Sequence, residues 1–362
     1  MVGLILHKLV ITAHDKSYEV IFNNNFKSLI QIINKLTENN GFIIIDQKVD
    51  RIYSFSKLLK SKNITIISSS ESIKSLNFSK NLILNLKKNN INKNSKIVAI
   101  GGGTLQDVTQ FSASILYRGI DYIFVPTTLQ AITDSCIGSK TSINLSSFKN
   151  QIGTFYSPKK VIIFTNFIES LDENNFKSGI AELLKLLIIG NFDKLDEFYD
   201  ELMHKKMNFK KLTPYVFKAL EVKKTFVELD EYDKGVRKIL NYGHTFAHSI
   251  ETATGYSISH GNATAIGINI ANYFSLKNNF VTKKWFDFHF NFFDKYYNFE
   301  KLIKSFELNG RSIVNNFKHD KKLLNDGVIE LILPHKKEIK IKKVLIDKEL
   351  IKNVDDFLYN FN

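Results

Sequence analysis

The segment NYGHTFAHSIETATGYSISHGNA carries three imidazoles, His244, His248 and His260. A spacing of four puts His244 and His248 on one face of a helix, where two such rings can share a divalent metal. GYSISHGNA reads as a loop leading into the next helix and brings His260 from another direction. Upstream, SGIAELLK sets Glu182 on a separate helix. One carboxylate and two imidazoles with an open position make a catalytic rather than a structural zinc site. The same residues have an ordinary reading too. An i,i+4 histidine pair decorates many helices, Glu182 and Lys185 form an i,i+3 surface pair, and His260 neighbours a helix start. Spacing alone favours the ordinary reading.

A second feature is the run KIVAIGGGTLQD, an apolar strand followed by Gly101, Gly102 and Gly103 and then a helix ending near Tyr117. Glycines let the backbone approach a bound group closely, and a helix N-terminus offers free N–H donors to a diphosphate. A tight turn needing positive φ accounts for the glycines equally well. The run is not the GxGxxG of the common dinucleotide fold.

These residues need elements to position them. The first half alternates strand-like runs at 18–22, 41–46, 63–68, 96–100, 121–125 and 160–164 with helical stretches such as 26–37 and 73–89. That rhythm predicts a parallel sheet with both faces covered. From about Leu171 helical spacing dominates, at 176–189, 195–206, 212–229, 236–254 and 263–276. Two strand-like runs, 328–333 and 338–344, predict a late hairpin. The expected architecture is an α/β Rossmann-like domain over 1–170 and a mainly helical domain over 171–362, as the length of 362 residues also suggests.

The bulk composition excludes several classes. A single cysteine, Cys136, rules out an internal disulfide framework. The opening MVGLILHKLVITAH is broken by His7 and Lys8, and no stretch reaches the roughly 20 apolar residues of a membrane span. A cytoplasmic protein is expected. The net charge of +14 comes from lysines scattered among Asn, Ile and Phe, without a basic arm or a nucleic-acid motif. It reads as a solvated surface, a minority of whose lysines serve an anionic small substrate.

The order and spacing of the motifs resemble a known group. GGGTLQD followed by the PTT of RGIDYIFVPTTLQAITDS is similar to the NAD pyrophosphate turn of two related families. These are the 3-dehydroquinate synthase-like sugar-phosphate cyclases and the metal-dependent polyol and glycerol-phosphate dehydrogenases. The resemblance implies that Gly102, Gly103 and Asp107 hold NAD, lined by Thr127 and Thr128. Asp46 would meet the adenosine ribose, and Glu71 and Lys74 match a GE-x-x-K turn whose glycine is Ser70 here. AE-x-x-K, N-x-GH-x-x-x-H and HG select Glu182, His244 and His260 as ligands of zinc or cobalt, and leave His248 to the substrate. The dehydrogenases take their first ligand from an Asp with a His four residues later. This chain reads AELLK there, which favours the cyclases.

The cyclase resemblance also implies a cradle for an acidic sugar phosphate. DSCIGSKTSINLSSFKN supplies Asp134, Lys140, Lys149 and Asn150, and the helical part adds Lys185, Lys223, Arg237 and Asn241. Lys223 and Arg237 match a pair facing a substrate carboxylate, which points to 3-deoxy-D-arabino-heptulosonate 7-phosphate or another keto-acid sugar phosphate. Arg118 matches an arginine reaching the neighbouring subunit of a homodimer, and one of Lys321 and Lys322 would contact the phosphate. Asp134, Lys140, Lys185, Asn241 and His248 would be the catalytic group. The implied reaction is the formation of 3-dehydroquinate on the shikimate route, by transient oxidation, phosphate elimination, re-reduction and aldol closure. Four positions depart from the pattern: Asn262 for a glutamate, Ser139 and Phe148 for glycines, and Asp233 for a glutamate. They leave room for a relative acting on a variant sugar.

Overall fold

Isoleucine- and valine-rich runs without polar interruption need cover on both faces, which a parallel sheet flanked by helices provides. In the computed structural model, which describes residues 5–146, 148–204, 207, 209–319, 323–324 and 327–359, nine strands precede residue 165. They are β1 Ile5–Ile11, β2 Tyr18–Asn23, β3 Phe42–Asp46, β4 Ile64–Ile67, β5 Lys96–Gly101, β6 Asp121–Pro126, β7 Ile143–Leu145, β8 Phe148–Ile152 and β9 Lys160–Phe164. Seven form one sheet in the order β1-β2-β9-β6-β5-β3-β4. All neighbours in it are parallel except β1, which pairs antiparallel with β2 at the edge. Every residue of β3 is buried, and Ile43, Ile45, Val98, Ile100, Ile123, Val125 and Ile162 share one core with Leu29, Ile33 and Phe167.

From β3 the chain moves outward to β4, then crosses back to β5 on the other side of β3. The carboxyl ends of β3 and β5 are therefore a topological switch point, where open α/β sheets bind ligands. The helix Phe26–Thr37 stands where the sequence predicts it, with Asn25 accepting from the Ser28 N–H at 2.9 Å as its cap. β1 and the small β7–β8 hairpin are additions that the strand pattern did not reveal.

The chain divides into two units, Met1–Asp172 with Asn208–Tyr232, and Glu173–Met207 with Asp233–Asn362. The helix Phe209–Leu229 thus groups with the sheet, although helical rhythm alone placed it in the second part. Leu212, Val216, Leu220 and Val227 recur at helical spacing and are buried. The helix lies against β1, the Ala131–Ser135 turn and the Thr165–Ser170 turn.

The second unit is built around the helix His260–Lys277. It is buried on nearly every side, as a helix apolar all round must be. Against it pack Glu173–Ile189, His244–Ala253, Lys283–Tyr297 and Lys348–Tyr359, together with β10 Val328–His335 of the hairpin it forms with β11 Glu338–Leu345. The helix expected over 236–254 is interrupted. A 3-10 turn spans Val236–Asn241, Gly243 sits at φ +78, and a new helix starts at His244. The left-handed glycine re-aims the chain so that His244 opens a first turn.

Gly261 is needed for a different reason. A Cβ there would lie 2.0 Å from the Ser178 Cα, and the Gly261 N–H donates to the Ser178 Oγ at 3.1 Å. Two helices cross at this contact, His260 on one and Glu182 one turn beyond Ser178 on the other. Among the described residues, no helix is long and apolar enough to cross a membrane. Gly261→Ala is expected to lower unfolding stability by about 1–3 kcal/mol, the usual cost of overpacking. A urea titration checks this, and an unchanged midpoint would contradict the close crossing.

Candidate active site

In the second unit, Glu182 is fully buried on Glu173–Ile189. Its Oε1 is 3.4 Å from the His244 Nε2 and 3.1 Å from the His260 Nε2. One ligand atom from each of the three residues lies within 4.8 Å of the others, a spacing that a divalent cation could bridge. The second carboxylate oxygen, Oε2, is 2.6 Å from the Lys185 Nζ, with both side chains buried. Lys185 therefore fixes the carboxylate so that Oε1 turns toward the imidazoles.

Both rings are also held from behind. The His244 Nδ1 is 3.3 Å from the Tyr242 carbonyl, and the His260 Nδ1 is 3.4 Å from the Glu251 Oε1. The three Nε2 and Oε1 atoms are thus turned inward as the anchored rings and the fixed carboxylate dictate, and the donor set suits a metal. Burial opposes the charge on Glu182, yet Lys185 and the two histidines hold its carboxyl well below the usual range. Burial and then Lys185 push His244 down, toward the neutral form a ligand requires. Burial also works against His260, but Glu182 and Glu251 together override it and raise its pKa to about 10.

His248 is not one of the three grouped donors. It is exposed, with its ring 5.4 Å from that of His244 and 6.3 Å from that of His260. Asn241 is half-buried at the end of the 3-10 turn, and Arg237 within that turn is buried, an unusual state for a guanidinium. Lys321 and Lys322 lie outside the described residues.

In the first unit, Gly102 caps the helix Gly103–Ile115 without a side-chain hydrogen bond, so its first N–H groups are not satisfied by a capping side chain. The turn is framed by the PTT segment: the Thr127 N–H donates to the Gly101 carbonyl at 2.9 Å. The Thr128 Cγ2 comes within 3.1 Å of where a Gly102 Cβ would stand. Asp46, at the end of β3, uses Oδ1 to cap the next helix through the Lys48 and Val49 N–H groups, at 2.8 and 3.2 Å. Gly101 is its neighbour, with a Cβ position 3.4 Å from the Asp46 Cβ. Asp46, Gly102, Gly103, Thr127 and Thr128 therefore gather at the switch point.

Lys74 joins a second group. Its buried Nζ is 2.8 Å from the Asp107 Oδ2, donates to the Asn150 Oδ1 at 2.6 Å, and lies 3.9 Å from Glu71. Burial pushes the Asp107 carboxyl up against the pull of Lys74. Asp134, on the Ala131–Ser135 turn, is 2.7 Å from the Nζ of buried Lys223, which also donates to the Asp134 carbonyl. Gln106 secures that turn by donating to the Ser135 carbonyl at 2.8 Å. Lys149 is half-buried and Lys140 exposed near the β7–β8 hairpin.

Two relationships escaped the motifs. Lys223 and Asp134 are 89 positions apart, and no local pattern signals their pairing. Glu251 did leave a signal: His244, His248 and Glu251 stand at i, i+4 and i+7, one stripe of a helix.

Known proteins match both halves of the chain, with Asn208–Tyr232 falling in the C-terminal match although it groups with the sheet. Residues 64–178 match the family model for the 3-dehydroquinate synthase N-terminal region, and residues 179–323 match the C-terminal region. A 3-dehydroquinate synthase of Thermoanaerobacter sp. (strain X514) is 33% identical over 339 residues, 90% of this chain and 93% of that protein. A crystal structure of 2-deoxy-scyllo-inosose synthase with carbaglucose-6-phosphate, NAD+ and Co2+ is similar at a TM-score of 0.82 and 25% identity, covering 96% and 99% of the two chains. The fold is shared too by a 2-epi-5-epi-valiolone synthase from Streptomyces hygroscopicus subsp. jinggangensis 5008 with NAD+ and Zn2+ bound, at a TM-score of 0.80, 19% identity and 97% and 99% coverage.

The raised pKa of His260 fixes the sign of a pH effect. Below about 10 the metal-free ring carries a proton that an incoming cation must displace. Apparent zinc affinity should rise with pH, by up to about tenfold per unit for one displaced proton. Calorimetry in buffers of different ionisation enthalpy reads the released proton. Binding without proton release below neutral pH would contradict the assignment.

Proposed function

This chain belongs to the 3-dehydroquinate synthase family, and from that premise we propose that it converts 3-deoxy-D-arabino-heptulosonate 7-phosphate to 3-dehydroquinate and inorganic phosphate. The observation that carries the proposal is the convergence of Glu182, His244 and His260 on one point, with Lys185 behind the carboxylate. In this reading Glu182, His244 and His260 hold zinc or cobalt. NAD rests on Gly102, Gly103, Asp107, Thr127 and Thr128, its ribose meets Asp46, and Glu71 and Lys74 support the site. When bound, the metal polarises substrate hydroxyl oxygens and NAD accepts and returns a hydride, so no net oxidation results.

The remaining residues bind and move protons. Lys185, already ion-paired to Glu182, contacts the reacting hydroxyls with Asn241 and His248, and these three relay protons. Asp134 orients substrate, and Lys223, held on the Asp134 carboxylate, is a cation poised beside it. Lys223 and buried Arg237 recognise the carboxylate, a task suited to a point charge and a planar fork. Lys140, Lys149 and Asn150 complete the polar lining, with Lys321 or Lys322 at the phosphate. AELLK in place of the dehydrogenase Asp and His speaks against a polyol or glycerol-phosphate oxidation. The Asn262, Ser139, Phe148 and Asp233 departures support, as a second reading, a variant keto-acid sugar phosphate on the same chemistry.

Incubation with NAD, zinc and the heptulosonate phosphate tests the activity. The expected result is one phosphate and one dehydroquinate per substrate, without NADH accumulating; steady NADH production from an alcohol would overturn it.

We further propose that the chain works as a homodimer in which Arg118 reaches the partner's substrate phosphate. Arg118 is exposed and stands at φ +63, beside Tyr117 at φ +52 and Gly119 at φ +123. Left-handed backbone at two successive non-glycine residues is uncommon and costs about 1–3 kcal/mol per residue, which functional sites often tolerate. Arg118→Ala and His244→Ala chains, each inactive alone, should recover about a quarter of wild-type activity after mixing and subunit exchange, because half the dimers then hold one complete site. No recovery, with exchange demonstrated, would confine Arg118 to its own subunit.

A further inference from the structure

The HG turn of this chain reads HGN, so Asn262 stands where the motif expects a carboxylate beside the histidine. Yet His260 is not without an acidic neighbour. Its Nδ1 lies 3.4 Å from the Oε1 of Glu251, whose side chain is mostly buried. Glu251 sits on a different helix, His244–Ala253, seven residues after His244. One helix face therefore supplies the His244 imidazole and also a carboxylate behind the other imidazole.

The chemistry of an imidazole makes that second contact consequential. A neutral ring carries one N–H, and the acceptor on one nitrogen decides which nitrogen keeps its lone pair. His244 has its Nδ1 facing the Tyr242 carbonyl at 3.3 Å. Glu251 provides the corresponding acceptor for His260. Once an incoming cation displaces the His260 Nε2 proton, Nδ1 as donor in both rings leaves both Nε2 lone pairs on the Glu182 side. Metal-bound histidines generally hold such a partner, and losing it costs 10–100-fold in affinity. Glu182 faces the Nε2 side of His260, and Glu251 is the carboxylate at its Nδ1.

We propose that Glu251 is a positioning residue that sets the tautomer and ring orientation of His260. The inference rests on the reading of Glu182, His244 and His260 as the metal site. It assigns to Glu251 no contact with substrate or cofactor.

Cobalt(II) serves as the probe, since its visible absorption reports coordination geometry and a chelator competition gives its affinity. Three variants are compared with wild type and with His244→Ala. Glu251→Met keeps the length without an acceptor, Glu251→Ala removes both, and Glu251→Gln restores an acceptor oxygen. Having two loss variants guards against a folding defect in either, and the melting temperature of each metal-free protein identifies such a defect.

Glu251→Met and Glu251→Ala are expected to bind cobalt about 10–100-fold more weakly, with an altered visible band. Glu251→Gln should stay within about 3-fold of wild type, the residual loss reflecting a weaker neutral acceptor. Wild-type affinity and an unchanged band in a folded loss variant would overturn the proposal. So would a glutamine variant as weak as the alanine one. Failure of the underlying reading looks different: His244→Ala would then bind cobalt as wild type does.

Discussion

A buried carboxylate that keeps its charge is the constraint around which the second unit is organised. Glu182 is fully buried, and an ionised carboxylate taken out of water loses several kcal/mol of solvation even after relaxation. The sequence answers that cost locally, by placing Lys185 one turn away at 2.6 Å. It answers again at a distance, by bringing His244 and His260 to the other oxygen. Removing one partner of a buried pair costs about 3–5 kcal/mol because a charge is left unmatched. The same arrangement that makes Glu182 tolerable gives it one oxygen tied to a lysine and one turned toward two imidazoles.

The helix crossing at Gly261 and the break at Gly243 follow from this need. A helix running without interruption from 236 to 254 would carry its residues on one continuous spiral. The 3-10 turn and the left-handed glycine instead deliver His244 at a fresh helix start. Gly261 lets the helix of His260 approach Ser178 closely enough to hydrogen-bond, so His260 reaches Glu182 directly. In the first unit the comparable device is the strand order. Crossing from β4 back to β5 on the far side of β3 sets Asp46 and the triple glycine side by side.

Much of this was legible in the residues. Unbroken runs such as FIIID and KVIIF marked buried parallel strands, because nothing polar had to face water. The motifs named Glu182, His244 and His260, which the fold brings together. What stayed hidden has physical reasons. β1 and the β7–β8 hairpin are short or edge elements whose side chains lack a clean period, as the exposed Leu145 and Phe148 show. Helical rhythm identified the helix Phe209–Leu229 but could not say which unit would bury its apolar face. The Asp134–Lys223 pair joins distant segments, and such pairing is set by topology rather than by local spacing. Glu251 was marked by its place on the histidine stripe, but a stripe shows which residues share a face and not which ring each one touches.

The chemistry of the second unit turns on whether one cation sits among Glu182, His244 and His260. Anomalous diffraction from crystals grown with zinc, recorded on both sides of the zinc absorption edge, tests this most directly. A single strong peak within about 2.0–2.2 Å of the Glu182 Oε1 and both Nε2 atoms is the predicted result. A peak held by other residues, or none at that point in zinc-replete crystals, would contradict it.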